Sequence, residues 1–265
     1  MYWIAYSKSV RGKREINQDD FASFQSRGVK VLLVCDGNGG RGAEKFSKAI
    51  VKTVMGEISY TLPRMGKITI EELKILGLAT VKKTAEQAAM LKSHCQDLSS
   101  AGTTITLVLI YNSTVLAFWV GDSPAMIYRN GEIIRLTEPL HNLKEMLISQ
   151  GGDKESISMQ DGLGSILMRC IGHSECEPDF KIMEMKPPFL VLVASDGISN
   201  LPEKRLSEII RMNLFESTLP EKIIGESLEY GSDDNITVLS ALVLEMRKSL
   251  KKVKRLYWKR RRFIC

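Results

Sequence analysis

The stretch VLLVCDGNGG, residues 31–40, is an apolar run that ends on an acid and passes into a glycine-rich loop. A carboxylate at the mouth of a buried strand loses hydration, and such a charge is tolerated only when it is paired or bound to a cation. The stretch FLVLVASDG, residues 189–197, repeats this design. Two strands that bring Asp36 and Asp196 to one rim, each with a tight glycine turn, predict an oxygen-rich site for Mg²⁺ or Mn²⁺.

Two further acidic clusters border predicted strands. They are REINQDDF at residues 14–21 and GSDDNITV at residues 231–238, where Asp234 immediately precedes a strand. Taken singly, an Asp-Gly pair is also what an ordinary turn uses. Four acidic sites beside strands are more than turn chemistry requires, and this favours a shared metal centre.

The distribution of charge separates a body from a tail. The chain has 265 residues, 44% of them hydrophobic and 26% charged, which is enough for one large domain with a sizeable core. Its formal net charge is +6, but residues 247–265 hold ten Lys or Arg and no acid. The body is therefore mildly acidic. We expect one domain over residues 1–246 and a basic tail over residues 247–265.

Cysteine usage indicates a reducing compartment. There are five cysteines, an odd number without a CxxC pair, and the start of the chain carries no signal-peptide pattern. We interpret them as reduced thiols with no disulfide partner. The longest apolar runs have the length of strands, so no transmembrane helix is predicted. The expected location is the cytoplasm.

Hydrophobic periodicity predicts a mixed fold. Strand signatures lie at residues 29–35, 103–111, 114–121, 125–136, 189–195 and 235–245. Helical spacing lies at residues 41–57, 70–95, 203–212 and 218–230. Strands paired by hairpins, with helices in two blocks, favour an α+β sandwich over a doubly wound sheet.

Seven motifs, in order over nearly all of residues 1–246, are similar to those of one family. They are RGKREINQDDF, VCDGNGG, AGTTITLVLI, AFWVGDSPAMIYRNGEIIRLT, SILMRCIG, FLVLVASDGISN and SDDNITVLSALV. The sequence resembles the metal-dependent protein Ser/Thr phosphatases of type 2C, in their bacterial-type branch. The resemblance implies a four-layer αββα sandwich, in which two central, mainly antiparallel β-sheets are flanked by helices. Two metal ions sit between those sheets in the family, and a water that bridges them attacks the phosphorus.

The resemblance also implies roles for individual residues. Asp36 would bridge the metals and act in catalysis, and the carbonyl of Gly37 would help to hold one ion. The remaining ligands would be Asp19, Asp196 and Asp234, partly through waters. Asp233 is the alternative to Asp234, although the order Asp-Asn-x-Thr selects Asp234. Arg14 would clamp the phosphate with its planar fork, the alternative being a solvated loop arginine.

Two positions depart from the family pattern. Asn38 stands where many eukaryotic members have a His proposed as the general acid, and an amide cannot supply that proton. Ser99 stands where bacterial-type members have an Asp that binds a third metal, and the nearest acid is Asp97. We therefore expect two ions and leave a third ion and the general acid unassigned. Asp122, in the VGDS motif, is expected to stabilise a turn.

Two segments invite other interpretations. Residues 138–164 correspond to the family's flap beside the active site, and His141 within them is more typical of a surface residue. CIGHSEC, residues 170–176, contains His173 between two cysteines, but the spacing fits no standard zinc site.

The predicted function is metal-dependent hydrolysis of phosphoserine and phosphothreonine in proteins, opposing a Ser/Thr protein kinase. The alternative is a catalytically inactive phosphatase-like regulatory or binding module, motivated by Asn38 and Ser99. Retention of the carboxylate cluster argues against it. The basic tail, with Leu, Tyr and Trp among its cations, can contact an anionic membrane or nucleic acid, which would make the enzyme peripheral to the membrane. The other reading of the tail is a solvated terminus.

Overall fold

The computed structural model of the chain describes residues 1–138, 142–153, 156–157, 163, 166–173 and 177–245. The predictions made for His141, Cys176 and the basic tail lie outside these residues. The division into a domain of residues 1–246 and a tail stays a prediction.

Ten strands form two five-stranded antiparallel sheets. The first sheet contains, in spatial order, β1 (Tyr2–Val10), β12 (Ile236–Leu244), β11 (Phe189–Ala194), β8 (Ala125–Arg129) and β9 (Glu132–Arg135). The second contains, in spatial order, β10 (Asp179–Glu184), β7 (Thr114–Val120), β6 (Ile105–Tyr111), β3 (Val29–Cys35) and β2 (Asp20–Ser26). Two short strands, β4 (Gly37–Gly39) and β5 (Ala101–Thr103), pair beside the sheets.

Helices cover the outer face of each sheet. The described helices are α1 (Ala43–Thr61), α2 (Ile70–His94), α3 (Leu143–Ser149), α4 (Glu203–Asn213) and α5 (Leu219–Glu229). Helices α1 and α2 pack on the second sheet, and α4 and α5 pack on the first. This arrangement confirms the predicted four-layer αββα sandwich. Within the described part of the chain, no helix is both long enough and apolar enough to cross a membrane.

Strand β3, which contains the apolar run of VLLVCDGNGG, is buried on both of its faces. Val31 and Leu33 of β3 pack in the core beneath α1 and α2, whereas Leu32 and Val34 pack in the core between the two sheets. Successive side chains of a strand point to opposite faces. A strand with cores on both sides therefore needs a continuous apolar run rather than an alternating one.

Several elements were not predicted from the sequence. They are strands β1, β2, β4 and β10 and helix α3. The predicted hairpin at residues 125–136 is confirmed, and its turn places Asn130 and Gly131 at φ values of 55° and 97°. Positive φ at both central residues is the geometry of the two-residue turn that an Asn-Gly pair favours.

A glycine in α2 fixes how that helix docks on the second sheet. A Cβ on Gly77 would lie 2.3 Å from the ring of the fully buried Phe118, which belongs to β7. Gly56 in α1 has nothing within 4 Å of the same position. Both glycines therefore have helical backbones, but only Gly77 lies where a side chain would meet a neighbouring residue.

We expect the same substitution at these two glycines to have opposite effects. Gly77→Ala should lower the free energy of unfolding by about 1–3 kcal/mol, because the added methyl overpacks against Phe118. Gly56→Ala should raise it by about 0.5–1 kcal/mol, because alanine is the better helix former where nothing is in the way. Urea unfolding followed by circular dichroism measures both. A shift of the two variants in the same direction would contradict this account of the docking.

Candidate active site

Five aspartates from both sheets and their connecting loops meet at one end of the sandwich, and we call them the acidic centre. They are Asp19, Asp36, Asp122, Asp196 and Asp234. Each lies at the end of a strand: just before β2, after β3, after β7, after β11 and before β12. The side chains of Asp36, Asp122, Asp196 and Asp234 are partly exposed, while Asp19 is buried. The centre is therefore deep but open.

The carboxylates raise one another's pKa. Burial, followed by the charges of Asp19, Asp196 and Asp122 and a hydrogen bond with Asp196, raises the pKa of Asp36 well above its usual range. Burial, with further repulsion from Asp234, raises the pKa of Asp196. Burial, and then the charge of Asp196, raises the pKa of Asp122 to about 7. Burial is the largest cause of each shift, and repulsion between neighbouring carboxylates adds to it.

Asp19 is held by two hydroxyl groups from the first sheet. Its Oδ2 accepts hydrogen bonds from Ser195 Oγ at 2.8 Å and from Thr237 Oγ1 at 2.7 Å. Its Oδ1 is buried and has no hydrogen-bond partner. Burial raises the pKa of Asp19 to about 6 in spite of the two hydroxyl donors. A buried carboxylate oxygen without a donor is costly, and a bound cation is one way to satisfy it.

The donor set fits hard divalent cations. All the side-chain donors of the acidic centre are carboxylate oxygens, which Mg²⁺ and Mn²⁺ prefer. Among the described residues, no three His, Cys, Asp or Glu side chains are arranged to hold one ion by themselves. This agrees with Mg²⁺-type sites, where one or two carboxylates hold each ion and waters complete its shell.

Two glycines of the repeated Asp-Gly pattern are required by close backbone approach. A Cβ on Gly37 would lie 2.4 Å from the carbonyl oxygen of Gln18, in the loop that carries Asp19. A Cβ on Gly197 would lie 2.2 Å from the carbonyl oxygen of Asn235, next to Asp234. A side chain at either position would push one acidic loop away from another. The glycines are therefore what allow the four loops to converge.

Asn235 ties the N-terminal loop to the centre. Its Nδ2 donates to the carbonyls of Arg11 and Ile16, both at 2.9 Å, and its Oδ1 accepts from the backbone N–H of Gln18 at 2.8 Å. These bonds fix the loop that carries Arg14 and Asp19. Sequence reasoning missed this role, and it also missed Ser195 and Thr237, although all three stand inside the quoted motifs.

The Gly-Thr-Thr strand holds the backbone of Asp36. Thr104 accepts from the N–H of Asp36 through Oγ1 at 2.9 Å and donates its own N–H to the carbonyl of Asp36 at 2.8 Å. Thr103 Oγ1 donates to the same carbonyl at 2.9 Å. Three hydrogen bonds from Thr103 and Thr104 thus fix the backbone of Asp36. They do not involve its carboxylate oxygens, which stay available for other partners.

Arg14 lies at the centre and is half exposed. Its Nη2 donates to Asp234 Oδ2 at 2.8 Å, and 54% of its side-chain surface is accessible. Asp234, rather than the neighbouring Asp233, adds charge that raises the pKa of Asp19, Asp122 and Asp196. The structure therefore brings together all five side chains that the sequence singled out, with Gly37 between them.

A cavity of about 350 Å³ opens beside the centre. Asp122, Asp196 and Asp234 line one part of it, and Arg135 and Lys144 line another. Its size is within the range of ligand-binding pockets. Asp122, expected to stabilise a turn, accepts a hydrogen bond from Asn142 Nδ2 at 3.2 Å and faces this cavity as part of the acidic centre.

The two departures from the family pattern lie on one side of the centre. Asn38 pairs with Gly102 in the small β4–β5 sheet, and its Nδ2 is buried without a hydrogen-bond partner. Ser99 and Asp97 are exposed on the turn that precedes β5. The described residues of CIGHSEC place His173 against Gly102, where a Cβ would lie 2.5 Å from its Cδ2.

The chain is similar to known proteins in both sequence and fold. The sequence profile of the family described as Protein phosphatase 2C matches residues 7–229. The serine/threonine phosphatase stp of Listeria monocytogenes serotype 4b is 26% identical over 236 residues, which cover 88% of this chain and 92% of that protein. A serine/threonine phosphatase of S. agalactiae superposes with a TM-score of 0.81 at 23% identity, over 91% of this chain and 100% of that one. The catalytic domain of PstP in complex with two manganese ions superposes with a TM-score of 0.75 at 22% identity, over 92% and 99%.

We expect Asp36→Asn to stabilise the protein in EDTA while it abolishes stabilisation by Mn²⁺. The amide needs no proton and removes one of the repelling charges. In the wild type, Mn²⁺ at 100 times its dissociation constant should add about 2.7 kcal/mol to the free energy of unfolding, whereas the variant should gain little. Thermal melts with EDTA and with Mn²⁺ measure this.

The matched control for that measurement is Asp97→Asn, which removes an exposed carboxylate outside the acidic centre. It should leave both melting temperatures close to those of the wild type, since surface substitutions usually change stability by within about 0.5 kcal/mol. A melting temperature of Asp36→Asn in EDTA well below that of the wild type would contradict the picture of repelling carboxylates.

Proposed function

Because this chain belongs to the protein phosphatase 2C family, whose reaction is the metal-dependent removal of phosphate from serine and threonine in proteins, we propose that the acidic centre carries out that hydrolysis. The family membership agrees with the resemblance drawn from the seven sequence motifs. The bacterial relatives are named as serine/threonine phosphatases. The substrates are accordingly phosphorylated proteins.

The observation that carries the proposal is the uncompensated charge of the acidic centre. Asp36 and Asp196 share a hydrogen bond between the two sheets, and the buried Oδ1 of Asp19 has no donor. Two Mn²⁺ or Mg²⁺ ions would be held by Asp19, Asp36, Asp196, Asp234 and the carbonyl of Gly37. When bound, they supply positive charge for the phosphate and activate the water that attacks phosphorus.

Arg14 is suited to hold the phosphate of the substrate. One of its nitrogens binds Asp234, so the side chain is kept at the centre while more than half of it stays accessible. A guanidinium has five donors in a fixed fork and can bind two phosphate oxygens at once. It therefore orients the phosphoryl group and balances its charge.

The rival proposal is an inactive phosphatase-like module. Its motivation is Asn38, which cannot give a proton, and Ser99, which cannot replace a carboxylate. A module used only for binding has no need to keep four carboxylates that destabilise one another and that only a bound cation satisfies. The strained centre favours the enzyme.

We further propose that the enzyme opposes a Ser/Thr protein kinase in the cytoplasm. A protein phosphatase has substrates only where a kinase supplies phosphoserine and phosphothreonine. The basic tail, residues 247–265, adds a proposal of its own, because ten cations beside aromatic residues suit an anionic membrane or nucleic acid. Binding to anionic vesicles or to DNA that weakens with salt, and disappears when the tail is deleted, would support it.

We expect hydrolysis of a phosphothreonine peptide to require Mn²⁺ and the acidic centre. EDTA should abolish turnover, and Asp196→Asn in Mn²⁺ should lower kcat by at least about 10³-fold, because several kcal/mol of charge stabilisation depends on the metal. Asp97→Asn is the control and should retain wild-type turnover. Absence of turnover in the wild type with Mn²⁺, Mg²⁺ or any other divalent metal would favour the inactive module.

The proposed phosphate clamp makes a separate prediction. Arg14→Ala should lower kcat/KM for the peptide by about 10- to 100-fold, because charge-assisted hydrogen bonds of about 1.5–3 kcal/mol are lost. Arg14→Lys keeps the charge but loses the fork, so it should recover only part of the loss. Steady-state kinetics measure both variants. Full recovery in the lysine variant would show that charge alone is required at this position.

A further inference from the structure

Release of a serine or threonine oxygen from phosphorus requires a proton, because an alkoxide is a poor leaving group in water. The groups already assigned at the centre cannot supply it. Arg14 does not lose its proton in proteins, and the amide of Asn38 has none to give. Asp19, Asp36, Asp196 and Asp234 are assigned to the cations, and Asp122 accepts a hydrogen bond from Asn142 Nδ2 at 3.2 Å.

We propose that His173 is the catalytic proton donor to the leaving serine or threonine oxygen, an inference that rests on the proposed phosphatase function. The imidazole lies beside β4, and its loop is bonded to the strand that holds the peptide of Asp36.

The loop before His173 is bound to the strand that holds Asp36. The N–H of Thr103 donates to the carbonyl of Ile171 at 3.1 Å, and the N–H of Ile171 donates back to the carbonyl of Thr103 at 2.8 Å. The hydroxyl of Thr103 in turn donates to the carbonyl of Asp36 at 2.9 Å. Ile171, two positions before His173 in the chain, is therefore linked through Thr103 to the backbone of Asp36 by hydrogen bonds.

The half-buried Lys92 fixes the same loop from the helical side. Lys92 Nζ donates to the carbonyl of Gly172 at 2.5 Å and to the carbonyl of Ala101 at 2.7 Å, so it joins the loop to β5. Gly172 has φ of 101° and packs against Phe46, where a Cβ would lie 2.8 Å from the ring. The backbone that presents His173 is therefore held on two sides.

The imidazole meets Asn38 over Gly102. The position that a Cβ on Gly102 would take lies 2.5 Å from Asn38 Oδ1, 2.5 Å from His173 Cδ2 and 3.0 Å from His173 Nε2. Asn38 follows Asp36 by two residues and pairs with Gly102. His173 thus lies beside Asn38 of β4, and it is exposed, so solvent can restore its proton.

The ring is oriented by a backbone carbonyl. His173 Nε2 lies 3.2 Å from the carbonyl oxygen of Ser100, which can accept an N–H from that nitrogen. An imidazolium bound in this way keeps one N–H on the protein and has the other for transfer. The other described histidine that bonds a carbonyl, His94, uses its ring on Met90 of its own helix.

Proton transfer from His173 accompanies cleavage of the phosphate ester. A bond forms between the oxygen of a water molecule and phosphorus while the bond between phosphorus and the substrate Oγ breaks. The His173 imidazolium gives its proton to that Oγ, which leaves as the serine or threonine hydroxyl. The attacking water gives up one proton to solvent, and solvent returns one to His173. The products are the alcohol and inorganic phosphate.

The test compares two substrates that differ in their need for a proton. We would measure kcat of the full-length wild type and of His173→Gln, with Mn²⁺, on a phosphothreonine peptide and on p-nitrophenyl phosphate, whose leaving group departs as a stable anion. We expect His173→Gln to lose about 10²- to 10⁴-fold on the peptide and to keep wild-type turnover on p-nitrophenyl phosphate. Asn38→His in the same background should restore part of the peptide activity, and His94→Gln is the matched control.

Each outcome decides the inference. Equal losses on both substrates would show a structural role and overturn it, as would an unchanged rate on the peptide. An equal selective loss in His94→Gln would overturn it as well. If the wild type hydrolyses neither substrate with Mn²⁺, the proposed phosphatase function fails. If it hydrolyses both and His173→Gln is indistinguishable from it, only the role of His173 fails.

Discussion

Repulsion among carboxylates placed between two β-sheets is the constraint on which the rest of the structure depends. Asp36 follows a strand of the second sheet and Asp196 follows a strand of the first, and burial, with the charges of neighbouring carboxylates, raises the pKa of both. An apolar interior would normally reject such a group. The fold accommodates the carboxylates because hydroxyl and amide groups donate hydrogen bonds to some of their oxygens, while other carboxylate oxygens are available to a cation.

That constraint explains residues that carry no charge. Ser195 and Thr237 belong to the first sheet, yet their hydroxyls hold Asp19, which precedes the edge strand of the second. Asn235 binds the loop that carries Arg14, and the Thr-Thr pair holds the peptide groups of Asp36. Each acid is therefore positioned by a neighbour on another element. The long apolar strands are rigid, and they hold the residues that make these hydrogen bonds in fixed positions.

The sequence predicted the architecture and the acids because both leave a strong local signal. Continuous apolar runs identify strands buried on two faces, and an acid at the end of such a run stands out. Strands β1, β2 and β10 were missed because they are edge strands whose side chains are largely half-exposed or exposed, so polar residues interrupt their pattern. Strand β4 has three residues, Gly-Asn-Gly, and exists only because β5 lies beside it.

The site was predicted less completely than the fold for a related reason. Asp19, Asp36, Asp196 and Asp234 could be named from motifs, but the roles of Ser195, Asn235 and Thr237 depend on contacts more than 40 residues apart in the chain. From the sequence, His173 was considered only as a zinc ligand, because it lies between two cysteines in CIGHSEC. Its position beside Asn38 follows from the pairing of β4 with β5 and of Ile171 with Thr103, which no local pattern encodes.

The support of Asp19 by hydroxyls from the opposite sheet has a consequence for the lifetime of the protein. Separation of the two layers takes Ser195 and Thr237 away from Asp19 and so breaks up the acidic centre. A cation bound there resists that separation and slows global opening, which is the step that exposes a chain to proteases. The lifetime of the folded chain should therefore depend on bound divalent metal, as its turnover does.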